Sequence, residues 1–168
     1  MGRFGAPFFL TGVYMAINVR TKGQTGEREI CDFFNSIYAE VYAALHMPLP
    51  AKPIAQRNQN QSAVGGCDIS NTCFYAVEVK RQEALSINTW WKQCLVSAVE
   101  ANKFPVLIYR QNKQKWKVVL FMNPIMLFAD EKNHHADNPP RCEISLDDFR
   151  VIFKAHALEY IKRNGSAT

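Results

Sequence analysis

Between Phe74 and Lys80 the chain reads FYAVEVK, an apolar, β-branched run with two opposite charges embedded in it. Such a run specifies a strand. Side-chain alternation along a strand sends Val77 and Val79 to one face and Glu78 and Lys80 to the other. A carboxylate and an ammonium in this setting either form a solvated pair on a half-exposed face or belong to a site. Ten residues before Glu78, Asp68 follows Gly65 and Gly66, where the missing side chains leave room for a backbone or a phosphate to approach. Mg²⁺ takes oxygen ligands and keeps several waters, so two protein carboxylates suffice to hold it. Asp68 and Glu78 on adjacent strands would supply them, and the Val79 carbonyl a third contact. A cation held there polarises a phosphate oxygen and acidifies a water. Lys80 would hold or help deprotonate that water and stabilise the charge that builds on the phosphate. The pattern points to metal-assisted hydrolysis of a phosphodiester.

The clearest helix spans residues 26–45, where Ile30, Phe33, Phe34, Ile37, Tyr38, Val41 and Leu45 recur at helical spacing. Thr25 is placed to cap it, with Glu27 and Glu29 in a first turn that suits carboxylates. Glu27 lies on the side of the apolar stripe, as a helix-dipole partner or as part of a site; Glu29 points elsewhere. Prolines 48, 50 and 53 carry the chain in extended form to Arg57, and residues 58–66 read as a loop. Strands are expected near 67–70 and 73–80, a helix from Ser86 to Asn102, and a hairpin from Pro105–Tyr109 and Trp116–Phe121. Residues 130–141 read as a loop, followed by a helix over Leu146–Arg163 capped by Ser145. This order predicts an α/β chain of the α+β kind, a mixed sheet flanked by helices.

With 168 residues, 48% of them hydrophobic, the chain suffices for one domain with a real core. Residues 1–20 read as an N-terminal extension, with Met15 as an alternative start, and 21–168 as a single domain. The apolar stretch at the N-terminus is shorter than the ~20 residues of a membrane span and lacks a signal-peptide pattern, so the expectation is a cytoplasmic protein without a membrane partner. The net charge of +5 is compatible with a polyanionic partner and does not establish one. The five cysteines read as reduced thiols, and zinc ligation by Cys67, Cys73, His134 and His135 fits no common spacing. Lys103, Arg110, Lys113, Lys115 and Lys117, interleaved with Tyr109 and Trp116, form either a DNA-contact hairpin or a solvated tip. Trp90 and Trp91 are not expected to share one core, which leaves Trp91 for a dimer interface or a DNA backbone. His156 reads as a satisfied buried histidine.

The start Lys22-Gly23 to Glu27-Arg28-Glu29, then Arg57, Ser62, Gly66 and Asp68, then Val77-Glu78-Val79-Lys80, together resemble the archaeal Holliday junction resolvases, a branch of the PD-(D/E)xK nuclease superfamily. The resemblance covers roughly residues 20–110, with Cys67 in place of the proline of the superfamily's name. It implies a restriction-endonuclease-like nuclease core, here with an added C-terminal helix. By residue, it implies Glu27, Asp68, Glu78 and Lys80 as the catalytic set, with metal held at Asp68, Glu78 and Val79. Arg28 and Arg57 match DNA-contacting positions, Ser62 matches a serine in the loop before the aspartate and is counted with them, and Gln93 matches a supporting polar position; Lys113 and Lys115 of the basic hairpin, outside the resemblance, are further candidate DNA contacts. The implied activity is a Mg²⁺-dependent endonuclease, with Mn²⁺ able to substitute, acting as a homodimer on four-way junctions and other branched DNA. If phage-encoded, it would work in the host cytoplasm. The alternatives are a nuclease of the same superfamily with another DNA substrate, restriction-type or single-strand-specific, and a non-catalytic nucleic-acid-binding module on the same fold.

Overall fold

The structure, a computed structural model, describes residues 11–58, 66–122 and 140–167, with side chains from residue 21 onward in the first segment. Their elements, in chain order, are α1 (Thr11–Ala44), β1 (Gln56–Arg57), β2 (Ile69–Ser70), β3 (Tyr75–Gln82), α2 (Ile87–Ala101), β4 (Phe104–Gln111), β5 (Lys117–Phe121), β6 (Arg141–Ser145) and α3 (Leu146–Asn164). The strands form one mixed sheet in the order β1-β2-β3-β4-β5-β6. Only β3 and β4 run parallel, and α2 supplies the crossover such a pair requires. The expected mixed sheet flanked by helices is what forms.

The two faces of the sheet carry separate cores. Val77 and Val79, with Val106, Ile108, Val118 and Leu120, pack under α1 and α3, where Ile30, Phe34, Ile37, Phe149 and Phe153 are fully buried. Leu107, Tyr109, Val119 and Phe121 face the other way, under α2. Alternation along β3 therefore places Glu78 and Lys80 on the α2 face.

Three expectations are corrected here. Thr25 is no N-cap: α1 already begins at Thr11, inside the segment set apart as an extension, and Thr25 Oγ1 donates to the Thr21 carbonyl within the helix. Glu27 and Glu29 consequently sit mid-helix, and a first-turn dipole role for them falls away. Gly26 is where α1 lies against its neighbours. A Cβ there would stand 3.2 Å from the Trp116 ring and 3.3 Å from Arg81 Cβ. Next, residues 141–145 form a strand rather than the end of a loop. Cys142 and Ile144 alternate toward the core and β6 is an edge strand, so half of it is polar. Last, both tryptophans are buried. Trp90 lies beside Tyr109, and Trp91, 1% exposed, meets Phe121 edge-on, because α2 lies flat enough for adjacent residues to reach the sheet.

The remaining boundaries follow local rules. Asn102 in the left-handed conformation closes α2. Ser145 caps α3, its Oγ accepting from the Asp148 N–H, with Asp147 and Asp148 in the first turn and Lys162 and Arg163 in the last. His156 Nδ1 meets the Tyr75 hydroxyl, and burial holds its pKa below the ordinary histidine value, as a satisfied histidine requires. Among the described residues no helix is long and apolar enough to cross a membrane.

Candidate active site

The site forms where β1, β2 and β3 meet the middle of α1. Asn35 on α1 holds the Ala55 backbone at both ends, donating from Nδ2 to its carbonyl (3.0 Å) and accepting its N–H at Oδ1 (2.9 Å). This anchors the proline-rich connection and delivers Arg57 to α1. There Arg57 Nε donates to Glu27 Oε2 at 2.6 Å, both side chains being largely buried. The Asn58 N–H donates to the Asp68 carbonyl (2.8 Å), tying β1 to the residue before β2.

Asp68 is fastened to β3 twice. Its N–H donates to the Val77 carbonyl (2.9 Å), and its Oδ2 accepts the Val79 N–H (2.6 Å). The backbone polar groups of Val77 and Val79 thus point toward Asp68, and in an extended strand the carbonyl of Val79 opens on that same side. Gly66, two residues earlier, has φ +111°, which explains a glycine at this point of the turn. On β3 itself, Lys80 Nζ donates to Glu78 Oε1 at 2.5 Å. Asp68 and Glu78 are only 5% and 7% exposed. This removes the reading of Glu78 and Lys80 as a solvated surface pair.

The charges of Glu27, Asp68, Glu78 and Lys80 act on one another. Burial raises the Glu78 pKa, and the Asp68 charge raises it further, against the opposing pull of Lys80. Burial alone would lower Lys80. The carboxylates of Glu78, Asp68 and Glu27 outweigh it, and Lys80 ends above the ordinary lysine value, a firmly held ammonium. Cys67 and Cys94 border the same group, their thiols pushed up by burial and by these carboxylates. All five cysteines are free, and Cys73 Sγ lies 3.1 Å from the Tyr38 hydroxyl.

A consequence for stability follows. Because the folded-state pKa of Glu78 lies above its ordinary value of 4.5, ionising it costs folding free energy once the pH passes that value. Glu78→Gln should therefore be the more stable protein at pH 7. The advantage should vanish below pH 4.5, where the parent's carboxyl is neutral in both states. Thermal melts of both proteins across this range measure it; a variant less stable than the parent at pH 7 would contradict the assigned environment.

Of the other expected residues, Arg28 is exposed next to Glu27, and Lys113 and Lys115 are exposed at the β4–β5 turn. Arg57 is committed to Glu27 rather than projecting as a free phosphate contact. Gln93 is exposed on α2 beside buried Cys94 and makes no hydrogen bond to the acids. Tyr109, Arg110, Trp116 and Lys117 are not a basic tip: Tyr109 is buried, and Glu143 or Glu29 engages each of the four. Ser62, Gly65, His134 and His135 lie outside the described residues. Asn35 was not singled out from the sequence, since it sits in no chemical motif, and Glu29 was read there only as a first-turn carboxylate within the Glu27-Arg28-Glu29 run.

Two carboxylates and a lysine on adjoining strands, the lysine two residues after the second acid, make up the constellation of PD-(D/E)xK nucleases. The chain belongs to the family described as "Phage putative PDDEXK endonuclease", whose model matches residues 18–150. No curated protein matches the chain. Among solved structures, the Holliday junction resolvase Hjc of Archaeoglobus fulgidus is similar over 58% of this chain and 76% of that one, at 16% identity and a TM-score of 0.29. That likeness is too low to carry an argument about substrate or assembly.

Proposed function

We propose that this protein is a Mg²⁺-dependent DNA endonuclease that cuts branched DNA, four-way junctions foremost, as a homodimer with one active site per subunit. One observation carries the nuclease chemistry: Asp68 and Glu78 are both buried within reach of each other's charge, and the Lys80 ammonium offsets only part of that like-charge cost, which a bound cation would relieve further. Among the described residues no three His, Cys, Asp or Glu side chains stand together as a metal-binding group, because Glu27 is turned onto Arg57. The residues that fit Mg²⁺ are therefore Asp68 and Glu78 with the Val79 carbonyl, a small oxygen set of the kind this ion accepts, and Mn²⁺ would fit the same set. When bound, the cation supplies phosphate polarisation and an acidified water. Lys80 places its ammonium beside the reacting phosphate and stabilises the charge that builds there. Arg28, Lys113 and Lys115 are exposed for the phosphates of the backbone, which makes binding salt-dependent.

The preference for junctions rests on the sequence resemblance, and the dimer on the need for two symmetric cuts at such a substrate. Residues 21–168 would form the nuclease domain, working in a host cytoplasm if the protein is phage-encoded. End-labelled four-way junction, flap, duplex and single-stranded DNA, each incubated with Mg²⁺, Mn²⁺ or EDTA, test the proposal. The junction should be cut at least about tenfold faster than the rest, with no product in EDTA. Equal cutting of all substrates would leave a nuclease of other specificity. Binding without product under any cation would leave a non-catalytic module and end the proposal.

A further inference from the structure

On the opposite side of α1 from Arg57, a second charged group closes over the sheet. Glu29 accepts from Arg81 Nη1 (3.0 Å), from Arg110 Nη2 (2.9 Å at Oε2) and from the Trp116 indole N–H (3.1 Å). Arg81 and Arg110 are register partners on the parallel strands β3 and β4, so their side chains rise together on the α1 face. The Arg110 guanidinium lies over the Trp116 ring at 4.6 Å. Both arginines bury their Nε–H without a partner, a cost accepted to bring the two forks onto one carboxylate. Gly26, one turn earlier on α1, lies close to Trp116 and Arg81, where an added Cβ would stand 3.2 and 3.3 Å from them.

The placement of this group along the chain is what matters. Gly26 and Glu29 bracket Glu27, and Arg81 directly follows Lys80. On a helix, residues two apart splay by about 200°, so Glu27 and Glu29 reach to opposite sides of α1. Glu27 is held on β1 by Arg57, and Glu29 is held over β3 and β4 by the two arginines. The two holds thus fix α1 from opposite sides of its axis.

We propose that Glu29, Arg81, Arg110 and Trp116 form a positioning clamp that sets the rotation of α1, and through it the approach of Glu27 to Asp68, Glu78 and Lys80. The inference rests on the endonuclease reading for its effect on rate, but not for its effect on structure. The residues of the clamp touch no substrate; they act through Glu27.

Glu29→Gln keeps the shape of the side chain and removes the charge that gathers the two forks. With Mg²⁺ saturating, it should lower kcat on the cleaved DNA by about 10–100-fold and leave KM nearly unchanged. In a Glu27→Gln background the same substitution should have little further effect, because both changes disable one group. Arg110→Lys, which keeps the charge and loses the fork, should show a smaller loss in the same direction. Glu83→Gln, which breaks the exposed Lys22–Glu83 pair between α1 and the segment after β3, should leave the rate unchanged.

A readout independent of cleavage is the NMR signal of the Arg57 Nε–H, which is held on Glu27. It should shift or broaden in Glu29→Gln and in Arg110→Lys. If the Trp116 indole signal moves while that of Arg57 stays put, the clamp is merely local and the inference falls. It falls equally if Glu27→Gln and Glu29→Gln multiply in rate. Should the parent protein cut no DNA, the endonuclease reading fails, and the Arg57 signal still decides the clamp.

Discussion

Asp68→Asn should reduce DNA cleavage on the order of 10³-fold while leaving both DNA binding and the melting temperature close to the parent's. The asparagine oxygen still accepts the Val79 N–H, so the link between Asp68 and β3 survives and only the negative charge is lost. That charge is half of the pair that would hold the cation. Lys80→Ala should abolish cleavage to a similar degree by a different structural route. It strips the ammonium from Glu78, which is then left buried beside Asp68 with no cation. Removing one partner of a buried pair costs up to about 3–5 kcal/mol, reduced here because Glu78 can take up a proton instead. The two variants should thus match in activity and differ in stability, a contrast that gel assays and denaturant titrations together resolve. Near-parental cleavage by Asp68→Asn in saturating Mg²⁺ would remove the metal role assigned to this residue.

The largest loss of stability is expected at Phe34→Ala, about 3–5 kcal/mol and roughly 10 °C in Tm. Phe34 is fully buried where α1 meets α3, edge-on to Phe153 at 4.6 Å and to Phe149 at 6.3 Å. Its ring neighbours Phe149 and Phe153 pack against one another and against Tyr75, so closing the space would move several rings at once. Val151→Ala, on the exposed side of α3, should stay within about 0.5 kcal/mol. Urea titrations with unchanged m-values would report both. A cost at Phe34 below about 1 kcal/mol would mean that α3 does not close this core as described. Because α1 also carries Glu27 and Glu29, the packing of its apolar stripe and the geometry of the active site are one structural problem.

Much of this was readable along the chain. The FYAVEVK run and the β4–β5 hairpin declare themselves by β-branched composition and period, and Ser86, Asn102 and Ser145 mark helix ends through their own backbone preferences. Elsewhere local signals misled. Thr25 looked like a helix cap, yet α1 runs through it from Thr11, and Gly26 beside it is where the helix comes close to Trp116 and Arg81. β6 was hidden because an edge strand needs only two apolar residues, Cys142 and Ile144, to hold its place. Trp91 looked like a surface residue because a helix wheel does not say how broad a face its sheet offers.

For the site the division is sharper. The sequence by itself determined the candidate set: Asp68, Glu78 and Lys80 lie within one short stretch of chain, and strand alternation alone puts the last two on one face. Only the tertiary structure decided what surrounds them. Glu27 faces Arg57 across 30 residues of chain, and Glu29 gathers Arg81, Arg110 and Trp116 from 52 to 87 residues away. Local propensity acts over a turn of helix or a few residues of strand, and the pairing of distant charges depends on how elements are rotated and registered against one another. The apolar stripe of α1 turns one face of the helix to the sheet, and the charged residues beside that stripe give the motif on β3 a defined neighbour on each side.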